Sequence, residues 1–373
     1  MGQPTKRGFT PLQILQIPDG IDPVPTVGGR DLEPGKEYIV TNAFAGVMLL
    51  SRHRVKRDGK MWSLRLLLKS YSIEFDAFDP EEDWNDQDVW LFRGGGFGDL
   101  ILLTPLIREL KRRWPKARIH VACGRGYQCV LKGLGVILED LPIPYDRRTT
   151  IDGMIEFEEI VEGDPKAEEL HMAQLFAHRA GITLTDLKPE YRVTADEMDW
   201  VRSHYPSNGL PRIGIQLLAS AFYRTYPKMV DVMLALSKKA QVFLIGVPGQ
   251  IQLTEEIPNV VNLMDHKLDF RHSAGLVSTC DVCVSPDSAL VHVCAALDIP
   301  CVALYGPFPS RLRLTSDLAH PFDGVASCAP CFFHADRADQ FPIGMPCVEA
   351  KKCVALDSIL LDDVVNQVLK FLQ

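Results

Sequence analysis

The chain has 373 residues, 46% of them hydrophobic and 24% charged, and a formal net charge of −8. The length exceeds one ordinary domain, and the composition is globular rather than disordered or collagen-like. No apolar stretch is long enough to cross a bilayer, residues 1–11 lack the apolar centre of a secretion signal, and the acidic balance gives no general attraction to nucleic acid; a cytoplasmic protein is expected.

Residues 1–88 are expected to form a small β-rich accessory domain. Pro and Gly punctuate 18–35, then 37–41, 47–55 and 61–69 alternate or run apolar as short strands, with Arg57-Asp58-Gly59-Lys60 as a hairpin turn. Arg52, Arg54, Lys56, Arg57 and Lys60 cluster around that turn, and an acidic run, 79–88, follows as a linker. A solvated surface explains both; a surface for a phosphorylated acceptor or a partner protein is the alternative.

Residues 89–205 are expected to form a first α/β domain. DVWLFR (88–93) has the pattern of a strand, GGGFG (94–98) of a tight turn, and 99–113 of an amphipathic helix closed by Trp114-Pro115, with the next strand at 119–123. Gly96 and Gly98 let the chain turn sharply beside a ligand, and Asp99 stands at the helix start, at the strand's carboxyl edge. A dinucleotide fingerprint would place glycine at 99 and an acidic residue about 20 residues further on. Neither is present, which weakens an oxidoreductase reading. Helices are expected near 126–134 and 168–180, with a linking helix over 194–205.

The second α/β domain spans 206–355. Its expected elements are strand 212–217, helix 227–239, strands 241–245 and 260–262, and helix 270–279. Then comes SPDSALVHVCAALDIPCVALYGP (285–307), a polar turn after the strand candidate 282–284, a short helix and a second strand. Asp287 and Ser288 are the residue types that cap a helix beginning near Ala289, and His292 falls within about its first turn. A helix N-terminus offers unpaired N–H groups and about half a positive charge, so a nucleotide diphosphate can dock there without a metal. A last helix, 356–372 within the C-terminal segment 356–373, is expected to pack at the domain junction.

Gly98, Asp99, Leu102 or Leu103, Thr104 and Pro105 match a G-D-x-x-L-x-T-P motif. Asp287 and His292 stand as in D-T-G-x-x-H, with Ser288 and Ala289 replacing Thr and Gly. Through these two linked motifs the chain, from about Val89 onward, resembles glycosyltransferase family 9, the ADP-heptose heptosyltransferases, including their protein-modifying branch. The resemblance implies the GT-B fold, an α/β architecture of two Rossmann-like doubly wound domains facing across a cleft, with the β-rich N-terminal domain added. It also implies inverting, metal-independent transfer of a sugar, heptose from ADP-heptose, to a hydroxyl of a lipopolysaccharide or protein acceptor.

By resemblance, Asp99 is the general base that takes the acceptor hydroxyl's proton. Arg224, in ASAFYRTYP where the family has lysine in K-x-W-P, would grip the diphosphate with Ser220 beside it. Asp287, Ser288, Ala289 and His292 would form the diphosphate cradle. The loop 246–250, with Gly246 and Gln250, and Met264 would hold adenosine, Gln250 standing where the family uses a glutamate on the ribose. Gly96, Gly98 and Thr104 fall on the acceptor side; Arg93, Arg125 and Tyr127 are weaker candidates there. His120, His178 and His334 are expected to be structural. The implied partners are an ADP-sugar and a saccharide, lipid or protein acceptor, with self-association left open.

Of ten cysteines, Cys123, Cys129, Cys280, Cys283, Cys294 and Cys301 fall on or beside expected strands and helices, as small buried hydrophobes do. Cys328, Cys331, Cys347 and Cys353 differ: C-x2-C and C-x5-C in a proline-containing loop, 328–353, favour a structural tetrathiolate zinc or iron site in a reducing compartment, with two disulfides or free thiols as alternatives. No catalytic cofactor is expected. Two rival functions stand beside transfer to lipid or protein. A GT-B transferase acting on modified DNA has the basic hairpin in its favour, and a non-catalytic nucleotide-sugar binder is allowed by Ala289 and Gln250.

Overall fold

A computed structural model describes residues 9–26, 30–41, 54–266, 268–332 and 346–373. Arg52, His334 and residues 47–53 of the strand expected at 47–55 lie outside them; its end, 54–55, falls in a strand. Its contacts divide the chain into two units, 1–164 with 173–185, and 165–172 with 186–373.

In the first unit, β1 (Phe9–Gln16), β2 (Glu37–Val40), β5 (Lys69–Asp76) and β9 (Ile143–Pro144) form an antiparallel sheet in the order β5-β1-β2-β9. β3 (Arg54–Arg57) and β4 (Lys60–Ser63) form the expected hairpin, its turn closed by Asp58 and Gly59 at φ 50° and 75°, the left-handed pair that matches the strands' twist. The expected strand 61–69 instead breaks after Ser63 into a single 3-10 turn, Leu64–Leu66. Strand periodicity of two gives the sheet two buried faces. Leu15, Tyr38 and Val40 pack among Ile17, Ile21, Val24 and Leu32, while Leu12, Ile14 and Ile39 pack on Trp90, Phe92 and Ala122 of the neighbouring parallel sheet. The N-terminal sheet therefore shares a core with the first α/β sheet.

That second sheet is parallel, in the order β10-β6-β7-β8, from β6 (Asp88–Phe92), β7 (Arg118–Cys123), β8 (Ile137–Asp140) and β10 (Gly153–Glu156). Helix α1 (Phe97–Arg113) follows β6, and α2 (Met172–Arg179) completes the unit. The expected helix at 126–134 is a 3-10 segment, Arg125–Leu131. Residues 79–88, expected as a linker, are packed: Trp84 is fully buried, stacks on Phe78 at 5.0 Å, and lies where a side chain at Gly153 would stand. His120 is structural, stacked on Trp90 and hydrogen-bonded to Asp88 and Glu139.

The second unit holds six parallel strands: β11 (Arg212–Gln216), β12 (Gln241–Ile245), β13 (Val260–Asn262), β14 (Val282–Pro286), β15 (Cys301–Tyr305) and β16 (Ala319–Asp323). Their order is β13-β12-β11-β14-β15-β16, the doubly wound order whose direction reverses between its first and fourth strands, here β11 and β14. Around it pack α3 (Ala195–His204), α4 (Met229–Leu236), α5 (Phe270–Val277), α6 (Ala289–Leu297) and α7 (Leu361–Phe371). The expected helix 356–372 is interrupted, a single turn at Val354–Asp357 preceding α7. Val364 and Val368 of α7 join the core with Val232, Met233 and Leu236.

One buried ion pair ties α3 to α5. Thr194 and Glu197 make a reciprocal capping box, and Arg271 grips Glu197 through two 2.7 Å hydrogen bonds and donates a third to the Arg192 carbonyl. Burial opposes the charge on Glu197, but the bonds from Arg271 prevail and hold its carboxyl below the ordinary range. Arg271→Ala, which leaves that carboxylate without its guanidinium, is expected to destabilise the protein by about 3–5 kcal/mol in urea unfolding. A loss below about 1 kcal/mol would show that the pair contributes little.

Candidate active site

In the first unit the strand order reverses between β10 and β6, so the loops after these two strands flank one crevice. The β6 loop runs through Gly94–Gly96 into α1. Gly96 has φ +88°, and a Cβ there would come within 2.6 Å of Oδ2 of Asp99. Asp99 lies in the first turn of α1, as expected, and is 28% exposed. Arg93, at the end of β6, is ion-paired with it. From the β10 side the Phe157 carbonyl accepts from Arg93 at 3.0 Å, and Glu158 lies 3.7 Å from Nη1 of Arg93 while accepting from the Gly94 amide.

Gly98 is the second residue of α1. Thr104 belongs to the helix rather than to a ligand-facing surface. It is 1% exposed, and its hydroxyl donates at 2.6 Å to the Ile101 carbonyl, the acceptor that Pro105, having no N–H, cannot satisfy. This explains the T-P pair in the motif. Tyr127 packs edge-on against Phe97 and over Gly95, and Arg125 is paired with Asp140.

In the second unit the crevice lies between β11 and β14. Ser288 precedes α6, but its hydroxyl donates at 2.6 Å to Gln216 at the end of β11, with Ser285 at 2.9 Å. It therefore makes no cap hydrogen bond to the helix. Sequence reasoning expected capping by Asp287 and Ser288; the tertiary partner Gln216 takes the serine instead. Asp287 is buried with its amide on the Leu304 carbonyl, Ala289 is the first residue of α6, and His292 is 4% exposed on its first turn.

The loop after β11 brings Ser220 and Arg224 together, Nη2 of Arg224 donating to the serine hydroxyl. Tyr226, in the same segment, is anchored by its hydroxyl to the Ile359 carbonyl at 3.0 Å. After β12, Gly246, Gln250 and Met264 also meet. The Gln250 side chain accepts from the Val247 amide at 3.1 Å, and a Cβ at Gly246 would strike Met264 and Gln250 at 2.7 and 2.8 Å.

Sequence reasoning missed Glu156, Glu158, Gln216, His171 and Arg313. Glu156 ends β10 and Glu158 follows it, and the flanks of that strand are too irregular to predict. His171 lies on the segment 165–172, which the Glu168 and Glu169 carbonyls tie to Arg311. His171, Arg313 and His292 are all buried, and His292 and Arg313 lie within electrostatic reach of His171; burial first, against a backbone hydrogen bond at Arg313, holds the His171 imidazole down at about 4 and therefore neutral. No local pattern marks it.

Among the described residues no cysteine is joined in a disulfide. Burial pushes Cys347 and Cys353 upward, and Cys328 and Cys331 lie close enough to add to both. The four thus share one neighbourhood and have the donor chemistry of a thiolate site, yet among the described residues no three His, Cys, Asp or Glu side chains are grouped to hold a metal.

Two units, each built on a parallel sheet with polar loops at its reversal point, are the GT-B fold. Residues 167–341, a little under half of the chain, match the model of glycosyltransferase family 9 (heptosyltransferase). Lipopolysaccharide heptosyltransferase 2 of Salmonella typhimurium is 28% identical over 123 residues, a match spanning 32% of this chain and only 30% of the relative. The solved E. coli ADP-heptose lipopolysaccharide heptosyltransferase II superposes with a TM-score of 0.54 at 18% identity, covering 77% of this chain and 98% of its own. The iron-containing dodecameric glycosyltransferase TibC of enterotoxigenic E. coli gives 0.59 at 12% identity over 98% of this chain and 91% of its own, and it has also been solved with ADP-D-β-D-heptose. No helix among the described residues is long and apolar enough to cross a membrane.

Glu156, beside this cluster, is pushed up to about 7, by burial first and by the Glu158 charge second, with Arg179 opposing. A carboxyl raised above its ordinary 4.5 contributes stability below that value which is lost as pH rises through about 7. Glu156→Gln is therefore expected to raise Tm relative to wild type at pH 8 and to change it little at pH 4. Equal changes at both pH values would contradict the assignment.

Proposed function

We propose that this protein is an inverting glycosyltransferase that moves heptose from ADP-heptose to a hydroxyl of a lipopolysaccharide or protein acceptor. The observation that carries this reading is the β14–α6 turn. Ser288 is held by Gln216 across the sheet's reversal point rather than capping α6, which leaves the helix's first-turn N–H groups for an anionic ligand. With Arg224 and Ser220 on the loop after the adjacent strand, β11, the second unit supplies positive charge for the departing diphosphate without requiring a metal. The 246–250 loop and Met264 follow β12 and β13, the next strands along the same carboxyl edge, as an adenosine site would.

Asp99 takes the proton of the acceptor hydroxyl as the new glycosidic bond forms, and the carbon–oxygen bond to ADP breaks with inversion. The ADP-heptose bound in the TibC structure supports the donor, as does the family match. TibC also matches almost the whole chain, which supports a role for the N-terminal sheet and self-association like that in its description. Incubation with ADP-heptose and either lipopolysaccharide core or protein acceptor should release ADP. Asp99→Asn should lower kcat about 100-fold or more while leaving ADP binding intact, and Arg224→Ala should weaken both turnover and ADP binding. A fully active Asp99→Asn variant would remove the base, and a thermal shift with UDP-glucose but none with ADP-heptose would overturn the donor.

The four loop cysteines, we propose further, hold a structural zinc or iron ion, a reading supported by their shared neighbourhood and by the iron in TibC. Elemental analysis of protein purified without chelator should find about one metal per chain. Cys353→Ser should abolish it, and metal-free wild type would refute the site.

A further inference from the structure

We propose that Arg93 is the positioning residue of the base: its guanidinium, anchored by the β10 loop, holds the Asp99 carboxylate in one rotamer and in its ionised form. The inference rests on the proposed role of Asp99 and adds a residue that the matching motif does not contain.

Arg93 is the first residue after β6, and Asp99 lies six positions further, beyond the glycine turn. Two side chains so close in sequence would ordinarily meet water; here the guanidinium is only 11% exposed. Its position is set from the opposite strand, where the Phe157 carbonyl and the Glu158 carboxylate take Nη1 at 3.0 and 3.7 Å. Glu158 is fixed in turn by the Gly94 amide, and the Phe157 amide continues the sheet by donating to Phe92 at 2.9 Å. The contact with Asp99 is therefore made by a group that cannot turn away without breaking bonds to both loops. Gly96 serves the same end, because a side chain there would collide with the Asp99 carboxyl.

Charge supports the same assignment. Glu158 after β10 lies beside the guanidinium, and Glu156 at the end of β10 is within electrostatic reach of Arg93, Glu158, Glu159 and of Arg179 on α2. A protonated carboxyl cannot accept the acceptor's proton, so the base must be held ionised. A guanidinium in contact does this, since an opposite charge at such range lowers a carboxyl's pKa by about one to three units. Arginine suits the position because its planar fork reaches two acids and a carbonyl at once, which an ammonium does not.

The test is the pH dependence of transfer for wild type, Arg93→Gln and Arg93→Lys, together with the 13C carboxyl titration of Asp99, identified by its loss in Asp99→Asn. Arg93→Gln should move the acid limb of kcat and the Asp99 midpoint upward by about one to three pH units, with the donor KM little changed. Arg93→Lys should restore most of the limb's position while lowering kcat. An unmoved limb and midpoint in Arg93→Gln would overturn the proposal. If that variant does not fold, wild type decides: an Asp99 midpoint at or above about 3.9, the free-aspartate value, overturns it, and a lower one supports it. Wild type that transfers no sugar would count against the proposed function alone, because the carboxyl titration needs no turnover.

Discussion

A doubly wound parallel sheet must reverse its winding at one place, and there the crossover helices leave on opposite faces and the two strand-end loops part. The backbone at that edge has no further strand to pair with, so its amides and the polar residues of the loops face a crevice. Both units obey this constraint. In the first, the parting strands are β10 and β6, which bring Glu158 and Arg93 together beside Asp99. In the second they are β11 and β14, which bring Gln216 to Ser288. The candidate chemistry of each unit thus lies where its topology leaves polar groups with ligands as their natural partners.

The same constraint accounts for residues that look functional but are structural. Thr104 sits in the family motif, yet its hydroxyl satisfies the carbonyl that Pro105 leaves open, and it is buried. His120, a titratable residue inside β7, is held by two carboxylates and stacked on Trp90. Trp84, in an acidic run that resembles a linker, fills the space above Gly153 and joins the first unit's packing. Motif membership and chemical role separate when a buried backbone group needs a partner.

Much of the second unit was legible because its strands are short apolar runs and its helices have polar starts. Strands 241–245 and 260–262 and the start of α6 fall where periodicity puts them. The 125–131 segment and the C-terminal helix were legible only in outline, since a 3-10 turn and a broken helix carry nearly the same apolar spacing as a continuous one. β10 went unplaced, and with it Glu156 and Glu158, because four residues carry too short a pattern to separate from a loop.

By itself the sequence determined which residue types stand at strand ends: Asp99 after a glycine turn, Asp287 and Ser288 before a helix, Arg224 after a strand, and four cysteines in one loop. These depend on local spacing, which the chain carries along its own length. Only the tertiary structure decided what those residues touch. Arg93 on Asp99, Glu158 on Arg93, Gln216 on Ser288 and His171 near His292 join segments that, except for the first, lie far apart in sequence. Such pairings are set by strand order and by the packing of whole elements, and no local pattern encodes either.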